Sequence, residues 1–229
     1  MIRRLMALMA VLFLFTPVSK AFSVDLIING SFENPNINEY WTTRQPGSGT
    51  ILSPWQGRWV LFQSGSTEIT GWTVTQGDVD LSRGDWTSFD GSQSIDLVGY
   101  NLGGLQQTFN TTPGSMYRLS FEYANNWVNG PGTAQVDLIG QTTLFSSTIS
   151  HSNSTGSNMN WINYSTNFIA NSNSTTLRFT ALTKTYDGGI VIDNVSVVQP
   201  VPEPSSFVLL GIAILAAGCG KRFSRFCKI

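Results

Sequence analysis

The stretch Tyr117-Arg118-Leu119-Ser120-Phe121-Glu122-Tyr123 alternates large apolar side chains with polar ones at every position. In an extended strand, successive side chains point to opposite faces, so this spacing gives the segment one apolar and one polar face. A strand of this kind packs its apolar face against a second layer of structure. The stretch therefore predicts a half-buried β-strand in a layered β fold.

Alternation of the same kind recurs along the chain. It is found at residues 105–109, 136–138, 162–168, 177–181 and 190–197. Turn-forming clusters separate these runs, and no convincing amphipathic helix pattern occurs between residues 22 and 199. About eight short strands predict an all-β fold, a β-sandwich of the jelly-roll type. Residues 34–66 are expected to form a long loop region with one strand at 59–62, whereas Trp72 and Trp161 stand in strand contexts and are expected in the core.

The beginning of the chain has the form of a secretory signal peptide, which we assign to residues 1–21. A pair of arginines precedes an apolar run at residues 5–15, and Ser19 and Ala21 place small side chains where a cut after Ala21 requires them. An uncleaved membrane anchor is the alternative. The short apolar run and the small-residue site disfavour it.

The end of the chain divides into three parts. Residues 200–206 hold a Pro202-Glu203-Pro204 spacer, residues 207–219 are apolar, and residues 220–229 are basic. An apolar run followed by Lys and Arg predicts a transmembrane segment with a cytoplasmic basic tail. Its 13 residues fall short of the roughly 20 that a full span needs, so a buried C-terminal helix is the alternative. The lack of a polar face and the basic block that follows argue against that alternative.

In this order, the spacer, the apolar run and the basic end resemble the PEP-CTERM sorting signal of Gram-negative bacteria. The resemblance implies recognition by exosortase, a membrane transpeptidase-like cysteine protease. It also implies export through an inner-membrane intermediate to the cell surface or the extracellular matrix. The mature protein is then expected to end near Pro202–Pro204.

The exported part, residues 22–199, is more acidic than the whole chain. It holds six Lys and Arg and 13 Asp and Glu, which gives a net charge of −7 against −1 for all 229 residues. Because phosphate contacts need Lys and Arg, this domain is not expected to bind nucleic acid. Both cysteines, Cys219 and Cys227, lie in the tail, so disulfides, a cysteine nucleophile and thiolate metal sites are excluded from the domain.

A second resemblance covers residues 25–199. Its motifs are NGSFE at 29–33, GWTV at 71–74, GSQSIDL at 91–97, GGLQQTF at 103–109, YRLSFEYANN at 117–126 and IDNVSV at 192–197. In this order they resemble the choice-of-anchor C exported domain and its relatives among plant cell-wall proteins. That group is similar to galactose-binding-like jelly rolls, the fold of many carbohydrate-binding modules.

The second resemblance implies a structural calcium ion that links the opening and closing motifs. The matching residues are Glu33 and Asp193, while the family's second acid is replaced by Asn194, whose side chain offers a neutral oxygen. Calcium prefers about six to eight oxygen ligands from carboxylates and carbonyls. A bound ion would hold together the two ends of a domain without cysteine. The alternative is that both side chains cap loops in solvent.

Aromatic residues in loop-like sequence are candidates for sugar contact, because aromatic rings stack on the apolar faces of pyranose rings. They are Trp41, Trp55, Trp59, Trp86, Tyr100 and Trp127. We place ligand contact first at Trp86 and Trp127, each of which is near turn residues. Asn125 and Asn126 are candidate partners for the sugar hydroxyl groups. The alternative is that the rings fill the core.

Catalysis is not expected. Glycoside hydrolysis needs two facing carboxylates, and 13 acids always permit some pair, but no local signature selects one. His151, the only histidine, stands in a Ser- and Asn-rich turn and is expected to be solvated, so neither a triad nor a multi-histidine zinc site can be assembled. Three hypotheses follow: a surface or matrix protein that binds exopolysaccharide, a structural or adhesive biofilm-matrix protein without a ligand, and a glycoside hydrolase.

Overall fold

Twelve β-strands and one short 3-10 helix form the part of the chain that the computed structural model describes, residues 23–128, 130–183 and 188–200. The strands are β1 (Thr50–Leu52), β2 (Trp59–Gln63), β3 (Thr73–Gln76), β4 (Asp78–Ser82), β5 (Ser94–Asp96), β6 (Gly104–Asn110), β7 (Met116–Asn125), β8 (Gly132–Ile139), β9 (Thr143–His151), β10 (Ile162–Ile169), β11 (Ser174–Thr183) and β12 (Ile190–Val198). The 3-10 helix spans Ile37–Trp41 and follows the capping residue Asn36. In these described residues, no helix has the length and apolar character to span a membrane.

The strands make two antiparallel sheets. Seven strands lie in the order β1-β2-β4-β5-β12-β7-β10, and five lie in the order β3-β6-β11-β8-β9. The predicted all-β fold, a β-sandwich of the jelly-roll class, is confirmed. The signal-peptide helix and the C-terminal transmembrane helix predicted on either side of it fall outside the described residues.

The core of the sandwich lies between the two sheets. Leu119 and Phe121 of β7 are fully buried, and the Phe121 ring packs edge-on against Phe179 of β11 with 5.1 Å between ring centroids. The ring row continues from Phe179 to Trp72 and Phe32, with centroid distances of 6.3 and 5.3 Å. Burying each of these rings stabilises the fold by roughly 1.5–3 kcal/mol. The alternation in β7 and the burial of Trp72 are therefore as the sequence predicts.

The structure has more strands than the sequence predicts. In the region expected to be a long loop, β2 confirms the strand near 59–62, and β1 is an additional strand that pairs with it. Strand β9 is a second addition; it lies at an edge of the five-stranded sheet and is rich in Ser and Thr, so apolar alternation is weak there. Strand β5 is short and buried on both faces, which also removes the alternation that marks a half-buried strand.

The first and last segments of the described domain lie side by side. Asp25 forms an antiparallel bridge with Val198, and the Val195 backbone N–H donates a hydrogen bond to the Gly30 carbonyl at 2.9 Å. A Cβ atom at position 30 would lie 1.9 Å from the Val195 carbonyl oxygen, so only glycine fits there. The opening and closing motifs are neighbours, as any link between them requires.

Candidate functional site

Two acidic residues stand side by side on the outer face of the seven-stranded sheet. In β4, Val79 and Leu81 point into the core, so strand alternation directs Asp80 outward. In β5, Ile95 points inward and Asp96 outward in the same way. Asp80 and Asp96 are direct partners in the antiparallel pairing of the two strands. Side chains in such positions have Cβ atoms about 4.5–5.5 Å apart.

This acid pair lies on the floor of a surface cleft of about 630 Å³. The aromatic residues that line the cleft are Trp55, Trp59, Trp86 and Tyr100. The polar residues that line it are Arg58, Asp80, Ser82, Asp85, Asp96 and Asn126, and the lining is completed by Pro54, Gly99 and Val128. Trp55 is 65% exposed and Tyr100 is 48% exposed, so both rings present apolar surface to solvent.

Asp96 is the most deeply buried acid of the cleft, with 1% of its surface exposed. One carboxyl oxygen accepts hydrogen bonds from the backbone N–H groups of Val98 at 3.0 Å and Gly189 at 3.1 Å. The other oxygen accepts from Asn126 Nδ2 at 2.9 Å. Burial raises the pKa of Asp96 to about 7, although these hydrogen bonds act in the opposite direction. The residue therefore changes its charge near neutral pH.

The wall of the cleft beside the acid pair is an ion pair. Arg58 Nε donates to Asp85 Oδ1 at 2.7 Å, and Arg58 Nη2 donates to the same oxygen. Ser82 Oγ donates to the other oxygen of Asp85 at 3.0 Å. The guanidinium of Arg58 is thus paired with the carboxylate of Asp85 within the cleft.

A segment that we call the belt, residues 85–93, runs along the outer face between β4 and β5. Trp127 Nε1 donates to the Asp85 carbonyl at 3.1 Å, and Trp161 Nε1 donates to the Thr87 carbonyl at 3.2 Å. The belt's own Trp86 donates from Nε1 to Ser94 Oγ at 2.9 Å. Three indole N–H groups therefore fix the belt and hold the Trp86 ring at the cleft.

Two of the four residues predicted to contact a sugar line this cleft, Trp86 and Asn126. Trp127 is 41% exposed and supports the belt next to the cleft without lining it. Asn125 is 1% exposed; its Nδ2 donates to the carbonyls of Asn126 at 2.9 Å and Gly130 at 2.8 Å. The structure thus gives Asn125 a role in fixing the loop that follows β7.

The floor acids were missed in the sequence. Alternation in Val79-Asp80-Leu81 puts Asp80 on a polar face, and that signal is available from sequence. What the sequence does not show is that β5 pairs with β4 and sets Asp96 beside Asp80. Because this register joins segments 16 residues apart, no local motif marks the pair.

Glu33 and Asp193, the residues expected to bind calcium, both hold the belt. Glu33 Oε1 accepts from the backbone N–H groups of Ser92 and Gln93, each at 2.7 Å, and Glu33 Oε2 accepts from Ser92 Oγ at 2.8 Å. Asp193 Oδ2 accepts from the backbone N–H groups of Phe89 at 2.8 Å and Asp90 at 2.9 Å. Burial raises the pKa of Asp193 to about 7.

These two carboxylates therefore cap a loop, but neither stands fully in solvent, since Asp193 is buried and Glu33 is half-buried. Their partners named above are backbone N–H groups and the Ser92 hydroxyl, and of these the hydroxyl alone has an oxygen that a cation could bind. Within residues 23–128, 130–183 and 188–200, no group of three or more His, Cys, Asp and Glu residues is placed to hold a metal ion. Calcium binding at Glu33 and Asp193 stays a prediction, and an ion there would have to replace the hydrogen bonds to the belt.

Two side chains lie elsewhere than the sequence predicts. His151 was expected to be solvated, but it is 4% exposed at the end of β9. Its ring nitrogens lie 2.6 Å from Asn125 Oδ1 and 2.9 Å from the Asn160 carbonyl, so distant segments supply neighbours that the local sequence does not show. Trp161 was expected in the core, but it packs on the outer face, 6.2 Å from the Phe89 ring.

Two family models match the chain. One is described as "Protein of unknown function (DUF642)" and matches residues 25–198, and the other is described as "PEP-CTERM protein-sorting motif" and matches residues 200–222. The second match contains Pro202, Glu203 and Pro204; it confirms the predicted C-terminal sorting signal and indicates an exported protein that transits a membrane. The choice-of-anchor C type stays a prediction.

A curated relative and several solved structures are similar to parts of the chain. "Halomucin" of Haloquadratum walsbyi (strain DSM 16790 / HBSQ001) is 31% identical over 178 residues, which are 76% of this chain. The chain spans about 2% of that relative's length. The solved structure "CBM4 structure and function" is 18% identical with a TM-score of 0.45, covering 76% of this chain and 99% of that one.

A second solved structure, "Structure of CBM35 from Paenibacillus barcinonensis", is 22% identical with a TM-score of 0.41. It covers 60% of this chain and 96% of its own. Both solved structures are similar to this chain in backbone fold only.

Proposed function

We propose that this chain, which belongs to the DUF642 family, is an exported surface or matrix protein that binds carbohydrate in the cleft on its seven-stranded sheet. The observation that carries the proposal is the composition of the cleft, where four aromatic side chains stand beside carboxyl and amide groups. Aromatic rings stack on the apolar faces of pyranose rings, and carboxyl and amide groups bond their hydroxyls.

The exposure of the rim favours a ligand. Trp55 and Tyr100 are large side chains of the cleft lining that are 65% and 48% exposed. A folded domain gains stability by burying such rings, so a cluster of exposed ones at a concave site is typical of a binding surface. The Trp86 ring is fixed beforehand by its bond to Ser94, which lowers the entropy lost on binding.

Export fits this role. The sorting motif predicts processing by an exosortase-type protease and delivery to the cell surface or the extracellular matrix. Extracellular polysaccharide is the ligand that we propose there, and the net charge of −7 over residues 22–199 argues against nucleic acid as the alternative. We expect no catalysis.

Calcium binding at Glu33 and Asp193 is part of the proposal, with calcium as a structural ion. Isothermal titration with calcium after EDTA treatment tests it, and the absence of heat would contradict it.

The test of carbohydrate binding compares cleft variants with a matched control on a panel of polysaccharides. Trp55→Ala and Trp86→Ala remove rings that line the cleft, whereas Trp41→Ala removes a half-buried tryptophan of the 3-10 helix outside it. We expect the two cleft variants to lose at least about tenfold in affinity, which corresponds to about 1.4 kcal/mol, and the control to retain binding. Affinity electrophoresis measures the loss, and circular dichroism confirms that each variant is folded.

Other results would contradict the proposal. If the wild-type protein binds no glycan and deletion of its gene weakens the matrix, the structural or adhesive role is favoured. If the protein releases reducing sugar from a polysaccharide that it binds, the hydrolase hypothesis is favoured.

A further inference from the structure

We infer that the carbohydrate-binding surface continues from the cleft along the belt to the rings of Trp127 and Phe89, so that the protein binds a run of several sugar units rather than a short sugar. This inference rests on the proposed function and names the class of ligand, which is a long polysaccharide chain. It is carried by the positions of aromatic side chains that lie beside the cleft without lining it.

The outer face of the seven-stranded sheet becomes apolar next to the cleft. Asp96 pairs with Val191 of β12, and Val191 pairs with Ala124 of β7, so the three positions form a line across the sheet. Val191 and Ala124 belong to a small apolar cluster, separate from the main core, against which Trp86 and Trp161 pack. Because Trp86 also lines the cleft, aromatic surface continues from the cleft to Trp161.

The belt sets the order of the rings beyond the cleft. Trp127 is bonded to the carbonyl of Asp85, and Trp161 is bonded to the carbonyl of Thr87. Two residues of chain separate these attachments by at most about 7 Å. The Phe89 ring follows, with its centroid 6.2 Å from that of Trp161. The rings therefore lie in a row that begins at the cleft.

The position of Phe89 is fixed by β12. Its backbone N–H donates to Asp193 Oδ2 at 2.8 Å. Asp193 lies two residues beyond Val191 in the same strand, a step of about 7 Å along the sheet. Because Val191 is the direct neighbour of Asp96, Phe89 lies past the floor of the cleft in the direction in which β12 runs.

The rings at both positions are exposed. Phe89 is 48% exposed and Trp127 is 41% exposed, and Val128, which follows Trp127 and lines the cleft, is 61% exposed. Single exposed apolar side chains are ordinary on a protein surface, whereas neighbouring ones mark a binding surface. This exposed group is continuous with the cleft, so the ligand that we propose for the cleft is also the occupant that we propose for these rings.

The Trp127 ring is held from behind as well as through its N–H group. A Cβ atom at Gly156, in the loop between β9 and β10, would lie 3.4–3.5 Å from three atoms of the ring, Cζ2, Cε2 and Cη2. Similar distances to three adjoining atoms place position 156 over the face of the ring rather than at its edge. The loop thus supports one face of the indole, and the ring is fixed before any ligand binds.

The length of the ligand follows from this arrangement. Fixed aromatic rings stack on pyranose rings, and a ring that is already ordered loses less entropy on binding. A short sugar that occupies the cleft does not extend to Phe89, whereas a longer chain that leaves the cleft along the belt passes over Trp127 and Phe89. We therefore expect affinity to rise with the number of sugar units.

The test compares a trisaccharide and a hexasaccharide prepared from the polysaccharide that the wild-type protein binds best in the panel. Isothermal titration calorimetry measures the affinity for each. We expect the wild-type protein to bind the hexasaccharide at least about tenfold more tightly.

Variants assign the effect to the rings beyond the cleft. Phe89→Ala and Trp127→Ala should each lose at least about fivefold in affinity for the hexasaccharide and keep the affinity for the trisaccharide. Trp127→Phe keeps an aromatic face without the indole N–H and should bind the hexasaccharide more tightly than Trp127→Ala. Met116→Ala removes a side chain that is 49% exposed at the start of β7, and it should bind both sugars as the wild-type protein does.

The ratio of the two affinities is the quantity to compare between variants. A longer chain offers more overlapping registers to any site, which raises its affinity in every variant alike. A ratio in Phe89→Ala and Trp127→Ala that equals the wild-type ratio would overturn the inference, including the case in which a variant loses both sugars equally because the belt has moved.

The outcomes separate the two proposals. If the wild-type protein binds the trisaccharide and the hexasaccharide equally well, carbohydrate binding stands and the extension along the belt is wrong. If it binds no polysaccharide of the panel, the proposed function fails and this inference fails with it. The wild-type comparison can overturn the inference even where a variant does not fold.

Discussion

Asp96 is the residue of the cleft whose ionisation has the clearest consequence for stability. Burial raises its pKa to about 7, and burial raises the pKa of Asp193 to about 7 as well. A carboxyl group with a raised folded-state pKa stabilises the folded protein below its unfolded-state pKa, and this contribution is lost as pH rises through the folded-state pKa. We expect the free energy of unfolding to fall between about pH 5 and pH 8, by on the order of 1–4 kcal/mol per group.

Urea denaturation at the two pH values measures this change. Asp96→Asn removes one of the titrating groups, so its free energy of unfolding should depend less steeply on pH, whatever its absolute value. Asp137 does not interfere with this measurement. Burial raises its pKa, but hydrogen bonds from Ser146 and Arg178 lower it by more, so the net pKa is below the usual value and outside this pH range. A free energy of unfolding that is flat or rises over the range would contradict the prediction.

At the scale of elements, the belt connects the two ends of the domain to the cleft. Glu33 of the opening motif holds residues 92 and 93, and Asp193 of β12 holds residues 89 and 90. The belt carries Trp86 into the cleft, so the two carboxylates position a cleft residue without contacting a ligand themselves. Gly91 has a φ of +66°, and a Cβ atom there would lie 2.5 Å from Glu33 Oε1. Both facts explain why glycine begins the GSQSIDL motif.

Removing one of the two attachments should loosen one end of the belt. In Glu33→Ala, the backbone N–H groups of Ser92 and Gln93 lose their acceptor, so we expect their hydrogen exchange to accelerate at least about tenfold. The N–H groups of Phe89 and Asp90 keep Asp193 and should change less. Hydrogen–deuterium exchange with mass spectrometry measures the difference.

The control for the belt is Glu39→Ala, which removes an exposed acid of the 3-10 helix. It should leave exchange in the belt as it is in the wild-type protein. Exchange at Ser92 and Gln93 that is unchanged in Glu33→Ala would show that Glu33 does not hold the belt.

At the scale of the whole molecule, processing changes the net charge of the exported protein. Four basic residues, Lys221, Arg222, Arg225 and Lys228, lie in the last nine positions and are removed if the chain is cut at the spacer. The exported domain then has a net charge of −7 over residues 22–199, and a net charge of this size favours solubility.

The predicted cut is directly measurable. Intact-mass spectra of protein recovered from the cell surface or the medium should show a mature C-terminus near Pro202–Pro204. Exported material that retains Lys228 would contradict this prediction. Material from cells that lack the exosortase-type protease serves as the control and should retain the tail.

Features that depend on neighbouring positions in the chain were determined by the sequence alone. The alternation in Tyr117–Tyr123 defined β7 and the all-β class, because strand geometry sends successive side chains to opposite faces. The order of spacer, apolar run and basic end identified the sorting signal, because a sorting tail is read as a linear segment. Trp86 was named as a sugar contact because turn residues are near it, and Asn126 was named as a partner for sugar hydroxyls; both line the cleft, where contact with a sugar stays a prediction.

Features that depend on the register between distant strands were decided only by the tertiary structure. Asp80 meets Asp96, and His151 meets Asn125, because antiparallel pairing and loop packing bring these residues together across the chain. Asn125 and Asn126 are adjacent and chemically identical, yet Asn125 bonds to the loop after β7 and Asn126 lines the cleft. The sequence could not separate them, because the side to which each amide points is set by packing against segments that are remote in sequence.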